Sequence, residues 1–230
     1  MAEIELSLLS ADSWHSNVES LVKIFEQRNS SRVKVNYKHW ESAWSDMMGG
    51  NGKSALPAVS ELGTTWVPDL AGTGALRPIP AVLVEKLGGE KDYMPALWKS
   101  CFSFGKSQMW AIPWISGSRV IYYRRDLLAQ AGIDPDTAFA TPLAMLDAVR
   151  FLFKARVAHP WITSNVTSLN SLHLISTWLW AGGGDFTSED GQSMLFAEPG
   201  AIESMAAFFQ MGRYMGDKPK EYSYESAIDL

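Results

Sequence analysis

The feature that most constrains this chain is the repeated switching, over its first seventy or so residues, between two hydrophobic periods. Ile4, Leu6 and Leu8 alternate with polar neighbours, which predicts a strand over 4–9. From Asn17 the apolar residues Val18, Leu21, Val22 and Phe25 recur at helical spacing, so a helix burying that face is expected. Val33-Lys34-Val35-Asn36-Tyr37 alternates again, and Trp40, Ala43, Trp44 and Met47 return to helical spacing. Leu56 to Leu62 reads as a short buried strand. Trp66-Val67-Pro68-Asp69-Leu70 follows as a helix start with proline near its first turn. Strands separated by helices form mainly parallel ladders with helices on the sheet faces, so the fold class is α/β.

The later sequence is more helical. Gly105-Lys106-Ser107 separates two apolar strand-like runs, Cys101 to Phe104 and Gln108 to Pro113, and reads as a hairpin turn. A polar turn, Ser116-Gly117-Ser118-Arg119, leads into the β-rich run Val120-Ile121-Tyr122-Tyr123 and a basic helix start at Arg124-Arg125-Asp126. Thr141-Pro142 combines an N-cap with a first-turn proline, and Leu146, Val149 and Phe153 supply that helix's apolar face. Leu169 to Ala181 is a further helix, stopped by Gly182-Gly183-Gly184. Glu198-Pro199 opens the last clear helix, with Ile202, Met205, Ala206 and Phe209 expected on one face.

Several function classes are disfavoured by what the chain carries. A net charge of -5 gives no basic footprint for nucleic acid or for an anionic membrane. Cys101 is the sole cysteine, which rules out a disulfide within the chain and a four-cysteine metal site. Its apolar surroundings predict a buried, inert thiol. His15, His39, His159 and His173 do not pair at metal-ligand spacing, so neither metal nor cofactor is expected. Gly49 to Ser54 ends like a phosphate-binding loop, but Met47 stands where its first glycine belongs. The order is also helix to strand, the reverse of what that loop needs. No apolar run reaches the length of a membrane span. Met1-Ala2-Glu3 enters a strand directly, without the pattern of a signal peptide.

What remains is polar and aromatic residues at strand ends. Open α/β sheets collect ligands at the carboxyl ends of their strands. The first strand runs into Ser10, Asp12 and Trp14; the third runs into Thr64, Thr65 and Trp66; the hairpin strand runs into Trp114, Ser116 and Arg119. Each loop offers hydroxyls and a tryptophan, and the chain has ten tryptophans in all. Hydroxyl and guanidinium groups beside indole platforms suit a neutral polyol, because the apolar face of a sugar ring stacks on a flat indole.

Four segments, in order, resemble the sugar-binding class (family 1) of extracellular solute-binding proteins of ABC importers. Phe25-Glu26 before Val33-Lys34-Val35 is similar to that family's opening helix and second strand. Pro57 to Trp66, followed by Gly74 to Ile79, is similar to its next strand, turn and tryptophan. Arg119 to Leu128 with Ala131-Gly132-Ile133 matches most closely. Trp178 to Phe186, then Asp190-Gly191 and Glu198-Pro199, is similar to its second-lobe signature. The resemblance implies a two-lobe periplasmic-binding-protein-like type II fold with its C-terminal part missing, since members are considerably longer. It places an incomplete first lobe over 1–117 and an incomplete, mostly helical second lobe over 118–230. It implies capture of a sugar or oligosaccharide in an inter-lobe cleft by hinge closure, without catalysis. The partners implied are the carbohydrate and the ABC-transporter permease subunits, and the location is periplasmic or extracellular. From the second lobe Asn170, His173 and Trp180 join the candidate ligand residues. Other solutes remain open, among them a polyol phosphate, a polyamine or a peptide. So does a carbohydrate-active enzyme, for which Asp12 and Glu61 are the carboxylates near the proposed rim.

Overall fold

The N-terminal alternation is realised as a three-stranded parallel sheet in the computed structural model of the chain, which describes residues 2–9, 15–49, 56–103, 107–165 and 169–216. The central strand is β1 (Ala2–Leu9), flanked by β2 (Ser31–Lys38) and β3 (Val59–Ser60). Ile4 lies opposite Val33, Leu6 opposite both Val35 and Val59, and Leu8 opposite Tyr37. α1 (His15–Arg28) carries the chain back between β1 and β2, which makes the pairing parallel. Ser7, Leu8 and Leu9 are buried, as a strand paired on both edges requires.

The chain divides into two compact units, Met1–Gly117 and Ser118–Leu230. In the first, α2 (Trp40–Met47) and α3 (Val67–Gly72) cover the end of β1 through Ala43, Met47, Leu70 and Leu9, with Trp66 and Leu62 against them. α4 (Ala81–Lys86) and α5 (Pro95–Lys99) surround a second cluster of Trp98, Cys101 and Met109. Cys101 is buried, as its apolar neighbours suggested.

The second unit is mainly helical over its described residues, with α6 (Arg125–Gln130), α7 (Pro135–Ala138), α8 (Pro142–Lys154), α9 (Leu169–Ala181) and α10 (Pro199–Met211), and it has an antiparallel bridge between Thr187 and Met194. The Thr141 hydroxyl accepts the Ala144 N–H at 3.1 Å, so α8 begins with a satisfied cap. Met145, Leu146 and Val149 of α8 meet Trp178 of α9 and Ala207 and Met211 of α10. Each of the fully buried Val, Leu and Met side chains contributes roughly 1.5–3 kcal/mol.

Several expectations are corrected. The strand expected over 56–62 is only Val59–Ser60, because β3 is an edge strand that meets β1 at Leu6 and Ser7 alone. The hairpin reduces to one antiparallel bridge, Phe102 with Met109; Gly105 and Lys106 lie outside the described residues. Val120 to Tyr123 forms no strand. Among the described residues nothing pairs with it, and Tyr122 is 85% exposed. On α1, Val18 is buried while Leu21 and Phe25 are exposed; on α8, Phe153 is exposed and meets Tyr214 edge-on. On α10 the buried face is Ala201, Ser204, Ala207 and Met211, and Ile202 and Phe209 point to solvent. The reason is a close crossing, since Gly182 after α9 and Gly200 in α10 meet backbone to backbone.

Candidate functional site

The carboxyl end of the sheet gathers one group of the first unit's aromatic residues. β3 ends at Ser60, and Glu61 then ties the strands together. Its N–H donates to Ser7 O at 2.8 Å, and its carboxylate accepts the Leu9 N–H at 2.8 Å. Burial pushes the Glu61 carboxyl above its usual range, and the Leu9 hydrogen bond pulls the other way. A carboxylate so committed to the backbone has a structural task, which weakens its candidacy as a glycosidase acid.

Gly63 follows, and then a single 3-10 turn, Thr64–Trp66, leads into α3. Thr64 and Thr65 are exposed with their hydroxyls at the surface. Trp66 is half-buried. Its ring centroid lies 5.4 Å from that of Trp40, at 78°, and 5.2 Å from that of Trp44. The helical spacing of Trp40 and Trp44 predicts one face of a helix turned to the core. Trp40 is in fact 46% exposed at the start of α2, the helix that follows the carboxyl end of β2. The strand-end rule used for the third strand, applied equally to the second, would have marked it. Close by, the His15 ring stacks on Tyr37 at 3.7 Å, at the start of α1 and the end of β2.

The structure brings Thr64, Thr65 and Trp66 together on one turn. Ser10, Asp12 and Trp14 lie outside the described residues. Trp114 is 54% exposed, and Ser116 is exposed with its hydroxyl 3.7 Å from the Met94 sulfur. Both belong to an extended stretch without ladder pairing. Arg119 is exposed, and the partial desolvation it has draws its guanidinium below the usual value.

In the second unit Asn170, His173 and Trp180 follow one another at helical spacing along α9. His173 and Trp180 are exposed. The Trp180 indole N–H donates to Asp185 Oδ1 at 3.0 Å, and the same oxygen accepts the Phe186 N–H at 2.7 Å. That fixes the indole's orientation and leaves its ring face half in solvent. Among the described residues no group of His, Cys, Asp and Glu is arranged to hold a metal ion. A shallow concavity of ≈ 260 Å³ lies elsewhere, against α4 and the Phe102–Met109 bridge, and is lined by Ile79, Val84 and Gln108 among others.

Comparison with known proteins adds the following. The family model described as bacterial extracellular solute-binding protein matches residues 11–229. The diacetylchitobiose binding protein DasA of Streptomyces coelicolor is 31% identical over 126 residues, which cover 54% of this chain and 27% of that protein. The sugar-binding protein MalE of Xanthomonas citri superposes with a TM-score of 0.73 at 20% identity, over 92% of this chain and 52% of that one. An ABC transporter solute-binding protein of Thermotoga lettingae TMO, bound with alpha-D-tagatose, superposes with a TM-score of 0.68 at 19% identity, over 98% of this chain and 58% of that one. These likenesses show the fold, α/β of the two-lobe type II class. The chain spans a little over half the length of the two solved structures.

Proposed function

Because this chain belongs to the bacterial extracellular solute-binding protein family, we propose that it serves an ABC importer as the substrate-binding component, capturing a sugar or oligosaccharide without transforming it. The family match over residues 11–229 carries the proposal. DasA, whose name states a diacetylchitobiose ligand, supports the carbohydrate class. The first unit adds a cluster of three indoles beside exposed threonine hydroxyls at the carboxyl end of a parallel sheet.

In this reading the two units act as lobes that close over the ligand by a hinge. Contacts from both lobes stabilise the closed state, which the permease subunits in the membrane then recognise. Thr64, Thr65 and Ser116 hydrogen-bond sugar hydroxyls, and Trp66, Trp114 and Trp180 stack on ring faces. Arg119 grips a pair of hydroxyls. Ser10, Asp12, Trp14, Asn170 and His173 complete the proposed set. The protein works in the periplasm or outside the cell, at the membrane through its transporter. Thermal melting of the full-length protein with a panel of mono- and oligosaccharides is the test. A binder raises its melting temperature and leaves the sugar intact. Released product marks an enzyme, and unchanged melting with every sugar removes the carbohydrate assignment.

A further inference from the structure

We infer that Trp40 is a saccharide-stacking residue of the first unit, with Gly63 setting the pose of its indole; this rests on the carbohydrate reading above. Trp40 stands at the start of α2 with nearly half its surface open. Trp66, by contrast, is packed on the Leu9–Leu70 core and has both Trp40 and Trp44 against it. An indole with free surface at the carboxyl end of a parallel sheet has what the C–H face of a sugar needs. Trp66 then holds Trp40 in place as well as offering its own half-buried ring.

Gly63 supplies independent support. Its φ of -67° and ψ of 138° are open to any residue, so glycine is not required there by the backbone. The requirement is space. A Cβ at this position would lie 3.1 Å from Cζ3 of Trp40 and 3.3 Å from Cε2 and Nε1 of Trp66. The loop therefore lies close enough to both indoles that a methyl would push them by a few tenths of an ångström, and it delivers Thr64 and Thr65 immediately afterwards.

Three of the neighbouring charged groups are already engaged. Lys38 and Asp46 pair with each other at 2.6 Å, and the Glu61 carboxylate is taken by the Leu9 N–H. Among the described residues, the turn from Thr64 to Trp66 presents hydroxyls and a ring rather than charge, which suits a neutral sugar unit.

Calorimetric titration of the full-length protein with diacetylchitobiose, maltose and laminaribiose, beside its Trp40→Ala, Trp40→Phe and Gly63→Ala variants, tests this. Trp40→Ala is expected to weaken binding of whichever disaccharide the parent takes by at least tenfold, as loss of a dominant contact does. Its unliganded melting temperature should stay close to the parent's, and Trp40→Phe should recover part of the affinity. Gly63→Ala should also weaken binding, because the added methyl displaces an indole. Parent-like affinity in Trp40→Ala overturns the inference while leaving the carbohydrate reading intact. Loss of the fold in Trp40→Ala overturns it as well, by making Trp40 a core residue. A parent that takes none of the three disaccharides overturns both.

Discussion

Replacing Gly182 by alanine should cost the second unit about 2–4 kcal/mol, through contact rather than through backbone dihedrals. A Cβ on Gly182 would overlap the carbonyl oxygen of Gly200 and lie 2.7 Å from both the Gly200 carbonyl carbon and Ser204 Cβ. Carbon atoms in contact prefer about 3.5–4.0 Å, so α10 would have to retreat by roughly 1 Å. Overpacking of this kind costs roughly 1–3 kcal/mol. The retreat also strains the buried hydrogen bond from the Ser204 hydroxyl to the Trp178 carbonyl, worth about 1 kcal/mol. The adjacent glycine is a control of a different kind. Gly183 has φ 79° with open space around it. It turns the end of α9 so that its own N–H reaches Trp180 O at 2.9 Å and the Gly184 N–H reaches Leu179 O at 3.1 Å. Gly183→Ala therefore pays only for the left-handed conformation, about 1–2 kcal/mol. Urea unfolding followed by helical circular dichroism ranks the two. Equal losses, or a Gly182→Ala loss under about 0.5 kcal/mol, would refute a close crossing of α9 and α10 at this point.

Other outcomes follow from single contacts. Thr141→Ala should lower stability by about 1 kcal/mol, read as a shift in the urea midpoint, because the Ala144 N–H loses its acceptor. The raised pKa of Glu61 means the folded state holds that proton more tightly than the unfolded chain does. Its contribution is full below the ordinary value of 4.5 and is lost as pH rises through the raised value. Glu61→Gln keeps an acceptor for Leu9 and cannot ionise, so it should gain on the parent as pH rises from 4.5 through the raised value; a difference that does not change with pH would contradict this. The Cys101 thiol is buried, and burial raises its pKa. It should react slowly with a disulfide reagent in the native protein and rapidly in denaturant.

What the sequence made legible follows from the physics each signal reports. The limits of α9 and its glycine stop were readable because periodicity and capping are local. So were the Thr141 cap and the parallel order around β1. The buried face of α10 was not. Hydropathy ranks Ile202 and Phe209 above Ala201 and Ser204, but a helix crossing close to its neighbour turns small residues inward. The Val120–Tyr123 run misled for a related reason: β-propensity measures fit to a pleated neighbour, and among the described residues none lies beside it. At the site, Thr64 to Trp66 could be found from the strand-end rule. Trp40 holds the same strand-end position after β2, but its helical spacing points to the core, and only its 46% exposure separates the two.

The most direct test of carbohydrate capture is to watch the tryptophan indole N–H signals of the full-length protein by NMR during a disaccharide titration. Trp40, Trp66 and Trp180 are among the tryptophans proposed to contact ligand, while Trp98 and Trp178 are buried in separate cores. The expected result is saturable shifts at the first three with Trp98 and Trp178 left in place. Spectra unmoved by any sugar, or shifts confined to Trp98 and Trp178, would contradict the account.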